Sequence, residues 1–349
     1  MTAAKKYLTP KVIAPVVLLA VFLIVPLVTT GNYIITILVN CMAFAVFGLA
    51  WNIIGGYGAQ ISWCSATFVA VGAYTNFILS VDFGLSPFLS LPLGMALSYV
   101  MATIIGYGTF RLRGAYFSIA TIAFAESFRS AIQYFAGFTK GSAGIYVTYR
   151  GSNFFALTFA NDTPFYYIIL ALLVLTLLFC HWFTKSKTGY YLSSIKGDED
   201  AAESLGIETF KIKLKAFQVS AMVTSVAGAF YASFLTYISP ASTCSFDMSI
   251  KIGVVAIVGG IGTLWGPVIG AFIVVPLIEL AGILLGQSGS SNVLYGLLLV
   301  LIVIFRPQGV ITLFYMVRDK FAKKGPSAPD GPSSGQSANE PVPVGKEEV

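Results

Sequence analysis

The feature that most constrains this chain is a succession of ten largely apolar runs. They lie near 12–28, 33–54, 61–80, 88–110, 114–136, 165–184, 214–237, 249–263, 267–286 and 293–305. A helix needs roughly 20 mostly apolar residues to cross a bilayer. The runs are continuously apolar and do not alternate, which suits helices and not barrel strands, since in lipid each backbone amide must be satisfied within its own segment. Only 10% of the residues are charged, where a soluble domain carries about a quarter. The expected fold class is therefore an all-α polytopic membrane protein, a bundle of eight to ten transmembrane helices. The lower number applies if the short or glycine-rich stretches within 55–80 and 249–286 are re-entrant. The first run follows Lys5, Lys6 and Lys11 and lacks a small-residue cleavage site, so it reads as a retained signal anchor.

Lysine and arginine set the orientation. With ten spans and the N-terminus inside, 17 of the 21 basic residues fall on the cytoplasmic side. Both termini are then cytoplasmic. So is the segment Lys185–Lys215, where six lysines and five acids gather in 31 residues. Residues 1–312 read as the membrane domain, with this cytoplasmic loop at 185–215 and a long external loop at 137–164 expected to pack on the bundle or lie in the interface. The tail 313–349, rich in Pro, Gly and Ser, reads as cytoplasmic and disordered.

Charge inside a span costs about 2.5–3.5 kcal/mol on insertion scales, and Glu126, Arg129 and Glu279 bear that cost. Glu126 and Arg129 are three apart on one helix face and can pair; Glu279 lies at a similar depth and is a candidate partner for Arg129 across helices. The three are read either as a polar lining of a solute path or as a buried ion pair that fixes helix register. Small residues mark close helix approach: Gly262, Gly266 and Gly270 are four apart, and Gly228 with Ala232 repeats the spacing. Pro267 and the pair Gly259–Gly260 predict a break or turn there. Cys41, Cys64 and Cys180 sit in apolar runs as small hydrophobes, and Cys244 has no obvious partner. With His181 the only histidine, placed at a span boundary, no metal site is expected.

The charged loop contains "KGDEDAAESLGI". Asp200 reads as N-cap with Glu203 at N3, and Asp198 and Glu199 add negative charge near the helix start. Ala201 and Ala202 favour helix, and Gly206 suits the position that ends it. A helix this short is marginal in water and needs a partner surface. No nucleophile–base pair, metal cluster or P-loop lysine motif is present, so the chain is not expected to be an enzyme or to hydrolyse ATP itself.

The stretch "DAAESLG" resembles the E-A-A-x-x-x-G loop of ABC importer permeases, with Asp200 where Glu is usual. In order along the chain, "NIIGGYGAQISWCSATFVAVGAY", "RLRGAYFSIATIAFAE", "IKGDEDAAESLGI", "VGGIGTLWGPVIGA" and "FRPQG" look like the membrane-permease subunits of branched-chain amino acid ABC importers, over roughly 35–312. The resemblance implies a second homologous permease, two cytoplasmic ABC ATPases that bind ATP and Mg, and a periplasmic amino-acid-binding protein, with no nucleic acid. It also implies inward transport of leucine-like amino acids by alternating access, in a bacterial inner membrane. Asp200, Ala201, Ala202 and Gly206 inherit the role of docking on the ATPase. Two departures concern the solute: "TKGSAG" stands where T-G-G-x-x-G is typical, with Lys140 replacing the first Gly, and "SWCSATF" stands where "SLGHAAF" is common. Urea, amides or other neutral amino acids are the alternative solutes, and a stand-alone secondary transporter is the alternative class.

Overall fold

A computed structural model describes residues 22–26, 32–147, 157, 159, 161–285, 296–297, 300 and 309–312. The expected spans near 12–28 and 293–305 fall mostly outside this set, and the tail 313–349 entirely so. Eight of the expected spans are helical among the described residues. They are α1 (Asn32–Asn52), α2 (Ser65–Val81), α3 (Pro87–Thr109), α4 (Ala115–Tyr134), α6 (Thr163–Thr184), α9 (Thr209–Leu235), α11 (Phe246–Gly260) and α12 (Gly266–Leu285). Between them lie the short helices α5 (Ala136–Thr139), α7 (Lys187–Gly197), α8 (Glu199–Ser204) and α10 (Pro240–Thr243). Among the described residues, six segments are long and apolar enough to cross a membrane. The other two depart for different reasons: α2 has only 17 residues, and α4 has 20 but is more polar.

Two helices form the centre. α1 is buried along nearly its whole second half, from Cys41 to Asn52, and packs on α6, α9, α11 and α12. α9 packs chiefly on α2 and α3. Glycine permits a close crossing of α9 on α2: a Cβ on Gly228 of α9 would stand 2.6 Å from the Val69 carbonyl oxygen of α2. That crossing lies about 28 Å along α9 at 1.5 Å per residue, so α2 starts deep in the bundle and not at its edge.

The reason is a break in the chain. α1 runs into a π-helical turn at Ile53–Tyr57, and residues 58–64 then fold back non-helically into the bundle. The Trp51 indole N–H donates to the Ser62 carbonyl at 2.7 Å, which places Ser62 level with the helix it has just left. At the start of α2 the backbone N–H of Ala66 donates to Ser249 Oγ of α11 at 3.0 Å. The expectation of a helix from 61 is thus corrected by four residues. In "ISWC" Ser62 and Cys64 are buried, Trp63 is half-buried and Ile61 is exposed, in a non-helical segment whose backbone groups pair with neighbouring helices.

At the end of the bundle opposite the charged loop, β1 (Ile145–Tyr146) pairs antiparallel with β2 (Tyr237–Ile238). This pairing ties the start of the 137–164 segment to the end of α9. All four cysteines are free and buried, Cys244 included.

Candidate functional site

The charged loop folds as two helices outside the spans. α7 begins at Ser186, whose hydroxyl accepts from the Gly189 N–H. α8 begins at Asp198, whose carboxylate accepts from the Ala201 N–H at 3.0 Å. Asp198, not Asp200, is therefore the N-cap, and the capping box expected from Asp200 and Glu203 does not form. The reason is competition from more distant partners. Asp200 pairs with Arg113 in the α3–α4 turn at 3.0 Å, and Glu203 accepts from the Thr209 hydroxyl at 2.5 Å. The Asp200 carboxylate raises the pKa of the Arg113 guanidinium, first by its hydrogen bond and then by its charge. α8 closes as expected: Gly206 has φ +82°, its N–H donates to the Glu203 carbonyl, and Ile207 N–H reaches back to Ala202. These are the two bonds of a Schellman ending.

Three contacts fasten this segment to the bundle. Glu199 pairs at 2.5 Å with Lys213 of α9, whose side chain is only 4% exposed. Ala202 is buried. Lys196, at the end of α7, donates to the Gly56 carbonyl in the π turn of α1 at 2.9 Å. One turn back along α1, the Asn52 amide donates to the Thr263 carbonyl and accepts from the Gly262 N–H at 2.8 Å, both in the α11–α12 turn. The charged loop thus grips the ends of three helices that converge there. Outward it presents Ala201 and a leucine, Leu205, which is 82% exposed. Leu205 was not among the residues picked out from sequence, because only the fold shows it uncovered.

The glycines of the α11–α12 turn form a second cluster. A Cβ on Gly259 would fall 1.8 Å from the Gly266 carbonyl oxygen, and one on Gly270 would fall 1.9 Å from that of Val255. Gly266 likewise abuts the Gly260 carbonyl, and Gly260 and Gly262 have positive φ. The predicted break is there, between Gly260 and Gly266. These glycines let two helices pack backbone to backbone.

The intramembrane charges separate. Arg129 pairs with Glu126 on its own helix at 3.3 Å, with side chains 33% and 44% exposed. Glu279 is not the cross-helix partner of Arg129, which corrects that expectation. It sits on α12, which packs on α1 and α11, whereas α4 lies beside α2, α3, α10 and α11. Glu279 lines a partly open cavity of about 340 Å³ between α1, α9, α10, α11 and α12. Lys140 and Trp63, the departures from the family pattern, have structural roles. Lys140 occupies a left-handed turn at φ +57°, where glycine is easier. Trp63 packs at a tilt against Trp51 and edge-on to Phe246, and its backbone N–H donates to Thr121 Oγ1.

The family described as branched-chain amino acid transport system / permease component matches residues 33–303. The chain belongs to this permease family. The high-affinity branched-chain amino acid permease protein LivM of Salmonella typhimurium is 29% identical over 294 residues, covering 78% of this chain and 68% of that one. LivH of Escherichia coli, a permease protein of the same kind of system, is 24% identical over 290 residues, covering 77% of this chain and 91% of LivH. The L-arabinose permease protein AraH of Escherichia coli is 29% identical over 173 residues, 47% of this chain and 51% of that one. No solved structure matches. With its apolar helices, membership makes the chain a multi-pass inner-membrane permease component of the ABC-transport kind.

Proposed function

We propose that this chain imports branched-chain, leucine-like amino acids as one permease of an ATP-driven complex. Separate cytoplasmic ATPases bind ATP and Mg and dock on α7–α8, and a binding protein delivers solute at the opposite end. The observation that carries this reading is the charged-loop geometry. A capped helix of six residues exposes Leu205 and Ala201 while Lys213, Lys196 and Arg113 hold it to the bundle. An apolar side chain held out from a polar surface fits a partner's groove, and the contacts behind it reach α1, α9 and the α11–α12 turn. The likeness to LivM supports a branched-chain amino acid as the solute. A second permease is the partner that suits α4, because Glu126 and Arg129 stand part-exposed at membrane depth, where lipid is a poor neighbour.

The test is a mild-detergent pull-down of the tagged chain, followed by labelled-leucine uptake in proteoliposomes. Recovery of a P-loop ATPase and a second permease, with ATP-dependent uptake competed by isoleucine, is the expected result. Leu205→Asp should lose the ATPase while leaving the permease in the membrane. Because AraH is a relative over part of the chain, arabinose belongs in the competition; displacement by arabinose and not by isoleucine would replace the solute assignment. Uptake by the chain alone without ATP would replace the transporter class.

A further inference from the structure

The cavity around Glu279 has the composition of a binding site. Its volume, about 340 Å³, is at the small end for ligand pockets. Glu279 lies six residues from the end of α12 and Asn40 eight from the start of α1, roughly 9 and 12 Å at 1.5 Å per residue. The cavity therefore belongs to the half of the bundle away from the charged loop. On α11, Asp247 and Lys251 pair at 2.7 Å and neutralise each other. No hydrogen bond or ion pair engages the Glu279 carboxylate among the described residues, and Asn40 Oδ1 is buried without a donor. Two acceptors, one of them charged, therefore face the cavity, and the lysine on its wall, Lys251, is already paired with Asp247.

An uncompensated carboxylate at such depth is costly, and what would complement it is a cation rich in N–H donors. Phe44, Val274, Val275 and Ile278 make one side of the wall apolar, opposite the polar Tyr231, Ser242 and Ser245, and that side suits an aliphatic body. We propose that this cavity binds a small aliphatic amino acid, with Glu279 and Asn40 taking its ammonium group. Lys251 is available to the solute carboxylate in exchange for Asp247. The proposal rests on the amino-acid reading above and gives that solute a site within a single permease.

Two measurements on the reconstituted complex test it. Glu279→Gln should raise the KM for leucine uptake at least tenfold while the assembled complex is recovered in the same yield, and Glu279→Asp should recover part of the loss. On the unaltered complex, a hydrophobic carbodiimide should modify Glu279, read by mass spectrometry, and excess leucine should slow this several-fold while arabinose does not. A wild-type KM in the Gln variant, or modification indifferent to leucine, overturns the site and leaves the importer reading standing. A wild-type complex that carries no leucine overturns both.

Discussion

The charged loop and the α11–α12 hairpin meet at Gly262, yet they are held by opposite means. The loop is attached by ion pairs and hydrogen bonds, several of them exposed: Arg113–Asp200 has side chains 65% and 74% exposed. The hairpin is attached by backbone against backbone, with no room for a single added carbon at Gly259 or Gly270. Exposed polar contacts exchange with water at little cost, whereas an interlocked backbone either fits or does not. A segment that must respond to a partner and a segment that must transmit movement intact would differ in this way.

Four substitutions probe that contrast, beginning with the most damaging. Gly270→Leu places side-chain atoms where the Val255 carbonyl already lies. Overpacking costs about 1–3 kcal/mol and occasionally more, so detergent-solubilised protein should aggregate or lose most of its monodisperse peak in size-exclusion chromatography. A normal peak would mean that the hairpin is softer than described. Lys213→Met removes the buried partner of Glu199 and leaves that carboxylate, 26% exposed, able to turn toward water. The expected loss is about 1–3 kcal/mol, seen as a lower unfolding temperature, together with weaker capture of the ATPase.

Gly206→Leu should be milder for folding and selective for function. No atom lies within 4 Å of the added Cβ, so the penalty is backbone strain of about 1–2 kcal/mol. Membrane insertion should persist while leucine uptake uncouples from ATP hydrolysis; coupled uptake at the wild-type rate would remove α8 from the coupling role. Arg113→Ala comes last. Its pair is fully at the surface, so the unfolding temperature should stay within the error of the wild type, and any change should appear as salt-dependent ATPase affinity.

Much of the charged loop was legible in the sequence, because caps and helix ends are short-range. Gly206 ended its helix where the pattern required, and Ala201 and Ala202 fell inside it. The N-cap was misplaced because Asp198 and Asp200 are equally good cap residues, and only the fold shows that Asp200 turns instead to Arg113, some 90 positions away. Residues 61–64 were misjudged in the same way. Their place in an apolar run suggests helix, and only the Trp51–Ser62 contact shows that the chain there is not helical. Glu279 illustrates a third case. Its depth was readable from the span, but whether a carboxylate at that depth meets Arg129 or an open cavity depends on which helices are neighbours.

By itself the sequence determined that the chain lives in lipid, which of its segments are helices, and that a polar loop stands outside them. Those properties follow from hydropathy and hydrogen bonding summed over about twenty consecutive residues, and distant contacts shift only the ends of the helices. The tertiary structure alone decided which charge meets which, where α1 breaks and the chain turns back inward, and that Leu205 is uncovered while Glu279 faces a cavity. Each of these is a choice among residues far apart in the chain, made by whichever helices the glycines allow to touch.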